Sequence, residues 1–293
     1  MTKPQIDSNK FIETPIPEIL YHYTNLTGLT GIITNEEFWF SDMYFLNDKT
    51  EFELGLQIVT DELEKKKAGF QILYQTKLFI QALEEAINFI KDRDSPYILS
   101  LTTNNDLLSQ WRAYTDNGIG VNIGISKSFF EDQKISVYKC IYDPKTQREF
   151  IQSIIMDSIF MFVGLYSSLG LDKKEENEVS ESDFMEPISI AGGHFIEKTI
   201  LACSLIKDES FEEEQEWRAI YINRKEKVYF LPKNNFLKPY VKIKINEPNK
   251  ALKTIKAGPN PQRDLCHLSI QKLLKSKALT NPYIDFSLIP YRN

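Results

Sequence analysis

The chain has 293 residues, 42% of them hydrophobic, 12% aromatic and 26% charged. That suffices to bury a substantial core in one large domain or two small ones, and the charged fraction is that of a soluble globular protein. A net charge of -6 argues against a broad electrostatic footprint for nucleic acid and leaves room for a local basic groove.

Residues 1–16 read as a polar arm with no apolar run of the kind a secretion signal needs. Residues 17–23 read as a strand, and Thr24 is placed to cap a short helix through Asn35. "EFWFSD" is a second strand, because aromatic and β-favouring residues cluster there. "LNDKTEFELGLQIVTDELEKKK" opens a helix with Asp48 as its cap and Glu51 three residues on, the pattern of a capping box. A second helix is predicted at about Phe70 to Lys91 from its apolar spacing. "SPYILSLTT" is a strand, "DLLSQWRAYT" a helical turn or loop, "GIGVNIGI" a period-two strand and "KISVYKCIYD" another strand.

A long helix is predicted at about Thr146 to Leu169. Gln152 and Asp157 interrupt its apolar run "IQSIIMDSIFMFVGLYSSLG", so a buried helix is expected rather than a membrane span. "LDKKEENEVSESD" reads as a surface loop, and a further helix covers about Phe184 to Leu201. "ACSLIK", "QEWRAIYIN", "KVYFL", "YVKIKI" and "LKTIKAG" read as strands. Asn260 and Pro261 then open a last helix. The order predicts an α+β fold around a largely antiparallel sheet: one domain over 17–293, with a helical insertion at about 145–201. Cys140, Cys203 and Cys266 lack metal-ligand spacing and read as structural thiols of a cytoplasmic protein.

Few residues carry chemical signals. The chain has three histidines. His22 lies on the first predicted strand, while His194 and His267 lie on helices with no partner at ligand spacing. In "FEEEQEWRAIY", a regular strand puts Glu214, Glu216 and Arg218 on one face. Two readings stand: a solvated charged edge with a local ion pair, or a carboxylate that steadies positive charge developing on a sugar. The capping box accounts for Asp48 and Glu51 but not for Asn47. Gly118, Gly120, Asn122 and Gly124 make one strand face small, so packed backbone or a ligand lies close to it. Their spacing is not that of a dinucleotide-binding loop, and no HExxH, CxxC, phosphate loop or nucleophile elbow occurs.

Together, "LYHYTNLTGLTGII", "FWFSDMYFLNDKTEF", "LSLTTNNDLLSQWRAYTDNGIGVNIGI", "FEEEQEWRAIY" and "IKAGP" resemble a bacterial family of unknown function, DUF2971. That family looks like a distant branch of the ADP-ribosyltransferase superfamily, and the opening H-x-T strand is similar to the start of the DarT family of DNA-modifying toxins. The resemblance implies a split, mainly antiparallel sheet with NAD in the cleft and no metal. It implies Glu216 and Glu214 as catalytic carboxylates. It implies NAD contacts from His22, Tyr23, Thr24, Asn47, Arg112 and Tyr114, with Ser41 and Tyr44 both open for the middle position. The implied activity is NAD-dependent ADP-ribosyl transfer to a nucleic acid or protein, as a toxin or defence effector with a neutralising antitoxin as partner. The alternatives are an inert nucleotide-binding module, NAD hydrolysis, or a metal nuclease built on Asp48, Glu51, Glu214 and Glu216.

Overall fold

The computed structural model describes residues 7–46, 50–69, 74–92, 95–116, 118–174, 179–222, 225–233 and 235–290. By contact the chain divides into two compact units. One comprises 1–13, 47–95 and 141–209, and the other 14–46, 96–140 and 210–293. The first is helical and the second holds the sheet.

The helical unit contains α2 (Thr50–Gly69), α3 (Tyr74–Asp92), α6 (Pro144–Ser168) and α7 (Glu181–Cys203). α6 starts two residues earlier than its apolar pattern suggests. Pro144 sits in the first turn, where its missing N–H costs nothing, and the Asp143 carboxylate accepts from Thr146 N at 2.8 Å. By length and composition α6 is apolar enough to cross a membrane, with a mean hydropathy of 1.5 in its best window. Its Phe150, Ile151, Ile154, Ile155 and Phe162 are nevertheless buried within this unit. Phe162 stacks on Phe79 of α3 with ring centroids 4.5 Å apart. α7 runs on through "LAC", so "ACSLIK" is not a strand; only a single bridge joins Ile206 to Ile141. The start of the polar arm is held here too: a 3-10 turn, Ser8–Phe11, takes a hydrogen bond from Lys198 Nζ on Asn9, and Ser8 N donates to Asp157.

Two buried charge sites tie the helices. Glu62 accepts from Lys65, Arg148 and Gln152. Lys207 lies 3.6 Å from Glu51, both buried. Asp48, the expected cap of α2, lies outside the described residues, as does Asn47.

The sheet unit runs β1 (Ile19–Thr24), α1 (Leu26–Asn35), β2 (Glu37–Asp42), β3 (Tyr97–Thr102), α4 (Leu108–Tyr114), β4 (Val121–Ser126), α5 (Lys127–Asp132) and β5 (Ser136–Lys139). It resumes with β6 (Glu216–Tyr221), β7 (Tyr229–Lys233), β8 (Phe236–Lys244), α8 (Pro248–Ala251), β9 (Leu252–Ala257), α9 (Arg263–Ser276) and β10 (Tyr283–Phe286). The ten strands form one open sheet in the order β10-β9-β4-β1-β3-β2-β8-β7, with β6 and β5 branching from β3. Every pairing is antiparallel except β9 with β10. The α+β class and the mainly antiparallel sheet are as expected; β10 was not anticipated. The cap of α1 is Asn25, not Thr24. Its side chain accepts from Gly28 N at 2.8 Å, while Thr24 still belongs to β1. Likewise the Asn260 side chain accepts from Gln262 N just ahead of α9 and does not cap the helix itself.

The core of this unit lies on the face that carries Leu20, Phe38, Phe40, Leu99, Leu101, Ile123, Trp217, Ala219, Val241 and Ile255. The small residues of β4 are explained by packing. A Cβ on Gly124 would meet the Thr254 hydroxyl at 2.3 Å and the Tyr21 ring at 3.2 Å; one on Gly120 would meet the Thr24 carbonyl at 2.5 Å. Trp111 is fully buried, with its indole N–H on Asp106 at 2.8 Å; Asp106 also accepts from Ser287 and from Leu288 N. Gly258 of "IKAGP" lies against the Trp111 ring.

Gly258→Ala should therefore cost about 1–3 kcal/mol, because the new methyl would sit 2.5 Å from the Gly118 carbonyl oxygen. Gly164→Ala on α6, where the added carbon meets nothing within 4 Å, should be neutral or stabilising by up to about 1 kcal/mol. Urea denaturation of both variants measures the contrast. Equal effects would show that these packing distances do not govern stability.

Candidate functional site

The site forms where β3 has two neighbours on one edge. β2 pairs with β3 at Tyr97 and Ile98, and β1 pairs with it at Thr102. Ser100, between them, is bridged to neither. Its carbonyl instead accepts from His22 Nδ1 at 3.0 Å. A carbonyl can only accept, so Nδ1 carries the proton and Nε2 is the acceptor nitrogen. Burial lowers the His22 pKa, against the smaller raising effect of that hydrogen bond, so the ring is neutral near pH 7. The imidazole stands edge-on to Phe38, with ring centroids 6.3 Å apart.

At this fork a hollow opens, lined by Tyr21, His22, Tyr23, Ser100, Leu101, Gln110, Tyr114, Glu214 and Glu216. It measures about 290 Å³ including the space open to solvent, and has room for only one or two water-sized groups. Two segments almost 200 positions apart in sequence thus contribute residues to one lining.

Glu216 opens β6 and is buried. Its two oxygens accept from Arg218 Nε and a terminal nitrogen, each at 3.1 Å, in a two-pronged pair. Arg218, also buried, does not line the hollow. Glu214 does not share a regular strand face with Glu216, as a strand reading of "FEEEQEWRAIY" requires. It ends a 3-10 turn, Glu209–Glu214, and Gln215 between them has a left-handed φ of 44°. Gln215 is held there by hydrogen bonds from its N–H and its side-chain amide to the Glu212 carbonyl. The Glu214 carbonyl accepts from the Thr102 hydroxyl at 2.8 Å, which fastens the turn to β3. The reversal at Gln215 is what lets both glutamates border the same hollow.

The remaining expected contacts divide. Tyr114 lines the hollow, one turn after Gln110 on α4. Tyr23 lines it too, but its hydroxyl donates to the Asn104 carbonyl and accepts from Leu107 N, and burial pushes its pKa up to about 12. That hydroxyl secures the β3–α4 connection. Thr24, Ser41, Tyr44 and Arg112 are not among the lining residues. Thr24 packs against Gly28, Ser41 is paired in the sheet with Ile98 and Tyr240, and Arg112 is exposed on α4. Asn47 lies outside the described residues. Sequence reasoning missed Tyr21, Ser100 and Gln110. Gln110 was within reach, because it stands one helical turn before Tyr114. Ser100 is marked by its backbone carbonyl, which no side-chain pattern reports. Among the described residues there is no group of three or more His, Cys, Asp or Glu able to hold a metal.

Residues 110–219 match the family model described as "Protein of unknown function (DUF2971)", which bears out the expected resemblance to that family over this segment. The matched stretch runs from the Gln110 of the hollow to just past the Glu216–Arg218 pair; His22 precedes it. No significant match to the chain was found among curated proteins or among solved structures.

Removing the cation from the buried pair should be costly. Arg218→Met should lower unfolding free energy by about 3–5 kcal/mol in urea titrations, and adding Glu216→Leu should recover much of that loss. A loss below about 1 kcal/mol would mean that Glu216 does not depend on Arg218.

The histidine sets a pH dependence. Its folded-state pKa lies below the unfolded value of about 6.5, so on acidification the unfolded chain takes the proton first. The contribution from His22 is complete above pH ~6.5 and is lost as pH falls below it. Melting temperatures of wild type and His22→Asn should converge between about pH 6.5 and 5; a constant difference would mean that His22 titrates normally.

Proposed function

We propose that this DUF2971-related chain is an NAD-dependent ADP-ribosyltransferase whose reacting end of NAD enters the hollow at the β1–β3 fork. The observation that carries the reading is the meeting of His22 and Glu216 on one lining, at a split in a mainly antiparallel sheet.

The chemistry suits these groups. Cleaving the nicotinamide–ribose bond builds positive charge on the ribose, as in glycoside hydrolysis, and nicotinamide leaves neutral. No strong general acid is needed; a fixed carboxylate beside the sugar is. Glu216 supplies it and can accept from a ribose hydroxyl. Such preorganised groups are worth roughly 3–4 kcal/mol each. The neutral His22 offers an acceptor nitrogen to a ribose hydroxyl and acts by holding the sugar in place. Glu214, half-buried on the same lining, would take the proton from an incoming nucleophile. The hollow holds only a small part of a dinucleotide, so in this reading the rest of NAD lies outside it.

One observation favours a second reading, an inert nucleotide-binding module: both carboxylate oxygens of Glu216 are already engaged by Arg218. The metal-nuclease reading has less behind it. Glu51 is engaged by Lys207 in the helical unit, and among the described residues no three His, Cys, Asp or Glu are placed to hold a metal.

Incubation of the purified chain with labelled NAD and separate pools of RNA, DNA and protein tests the proposal. Label should enter one pool with release of nicotinamide, and Glu216→Gln should cut turnover by about 100-fold or more while the melting curve stays cooperative. Nicotinamide release without label in any pool would replace transfer by hydrolysis. Saturable NAD binding without release would support the inert module, and unchanged turnover of Glu216→Gln would remove that residue from the mechanism.

A further inference from the structure

The net charge of -6 conceals a strongly basic hairpin: residues 227–244 contain five lysines and no acid. They form most of β7 and β8, which pair at the end of the sheet next to β2. Register decides where the side chains go. Trp39 pairs with Lys242, Ser41 with Tyr240, Tyr229 with Tyr240, Leu231 with Lys238 and Lys233 with Phe236. Directly paired residues share a face. Phe38, Phe40, Val241 and Ile243 belong to the core, so the alternate set of Trp39, Tyr229, Phe236, Tyr240 and lysines 233, 238, 242 and 244 makes up the other face.

That face combines flat rings with cations. Trp39 stacks on Tyr240 at 4.5 Å and Tyr240 on Tyr229 at 5.6 Å, a row of rings crossing three strands. Lys242 lies 5.4 Å from the Trp39 centroid and 4.7 Å from that of Tyr229, and Lys227 is 5.3 Å from Tyr229. Trp39 and Phe236 remain 38% and 40% exposed, so their rings are open to a stacking partner. The counter-charge is small. Buried Glu37 serves both Lys242 and Lys244, and Asp42 partly offsets the effect of burial and of Lys233 on Lys238, whose pKa is drawn down to about 8.

We propose that this face of β2, β8 and β7 binds single-stranded RNA, with unpaired bases stacking on Trp39 and Phe236 and phosphates lying along Lys227, Lys233 and Lys244. Lysines alone would suit any polyanion. Rings interleaved with lysines on an open antiparallel face suit a strand whose bases are unstacked, and RNA is the nucleic acid usually read in that state. A duplex hides its bases and has nothing to offer the rings. The inference does not depend on ADP-ribosyl transfer and is tested without NAD.

The test is fluorescence anisotropy of a short labelled oligouridylate with the full chain at low salt, with melting curves for each variant. Trp39→Ala and Phe236→Ala should each weaken binding by about tenfold, and Trp39→Phe should restore most of it. Lys227→Gln with Lys233→Gln should reduce the slope of log K against log salt by about 1.4, the share of two phosphates on a single strand. Lys272→Gln with Lys275→Gln, which removes equal charge from α9, should leave the slope unchanged. Absence of binding at low salt, equal slopes for the two lysine pairs, or equal affinity for duplex or for single-stranded DNA would overturn the assignment.

Discussion

A single backbone carbonyl organises the candidate site. On one edge of β3, β2 covers the start and β1 covers the end, and neither reaches Ser100. A buried carbonyl without a donor costs a few kcal/mol, and a sheet normally removes that cost by closing the ladder. Here the His22 imidazole replaces the missing strand. The substitution keeps the strands apart, fixes the tautomer and leaves a hollow where a continuous sheet would have been solid. A histidine suits this position because its ring spans the gap with a donor at one end while keeping an acceptor at the other.

The second constraint is the buried pair on β6. An isolated carboxylate in so dry a place would take up a proton rather than remain charged. Arg218 removes that option by engaging both oxygens from two residues along the strand. The pair is nearly neutral seen from afar, but of its two members Glu216 borders the hollow and Arg218 does not. Two-pronged binding also limits rotation of the carboxylate. The left-handed Gln215 adds backbone strain at the same place, held by its bonds to the Glu212 carbonyl and by the Thr102 contact with Glu214. Backbone strain and buried charge thus lie together beside the hollow.

Much of the fold was legible in the residues. β2 and α4 follow from aromatic and helical patterns, and strands β3, β4, β6, β8 and β9 lie where alternation or β-favouring runs put them. The misplacements have identifiable causes. "ACSLIK" has a strand's composition, yet it ends a long helix because helical packing within its unit overrides the local preference. Thr24 is as good a cap as Asn25 by residue type; only the Gly28 amide distinguishes them. In the site, His22 and Glu216 were visible as unusual residues in strand contexts. Gln215 was not, since a left-handed glutamine has no compositional mark, and this one conformation overturns the period-two argument that put Glu214, Glu216 and Arg218 together. The role of Ser100 was hidden for a different reason: a carbonyl is common to every residue, and only topology shows which one is left over.

Charge in the sheet unit is arranged in two opposed blocks, and the sum over the chain obscures both. The 3-10 turn beside the hollow carries "ESFEEE", while the hairpin that follows β6 carries five lysines and no acid from 227 to 244. Acids at the mouth would repel a phosphate backbone approaching the hollow directly. Lysines on β7 and β8 of the same unit attract one. The two blocks therefore act on a polyanion with opposite sign, the hairpin by attraction and the turn by repulsion.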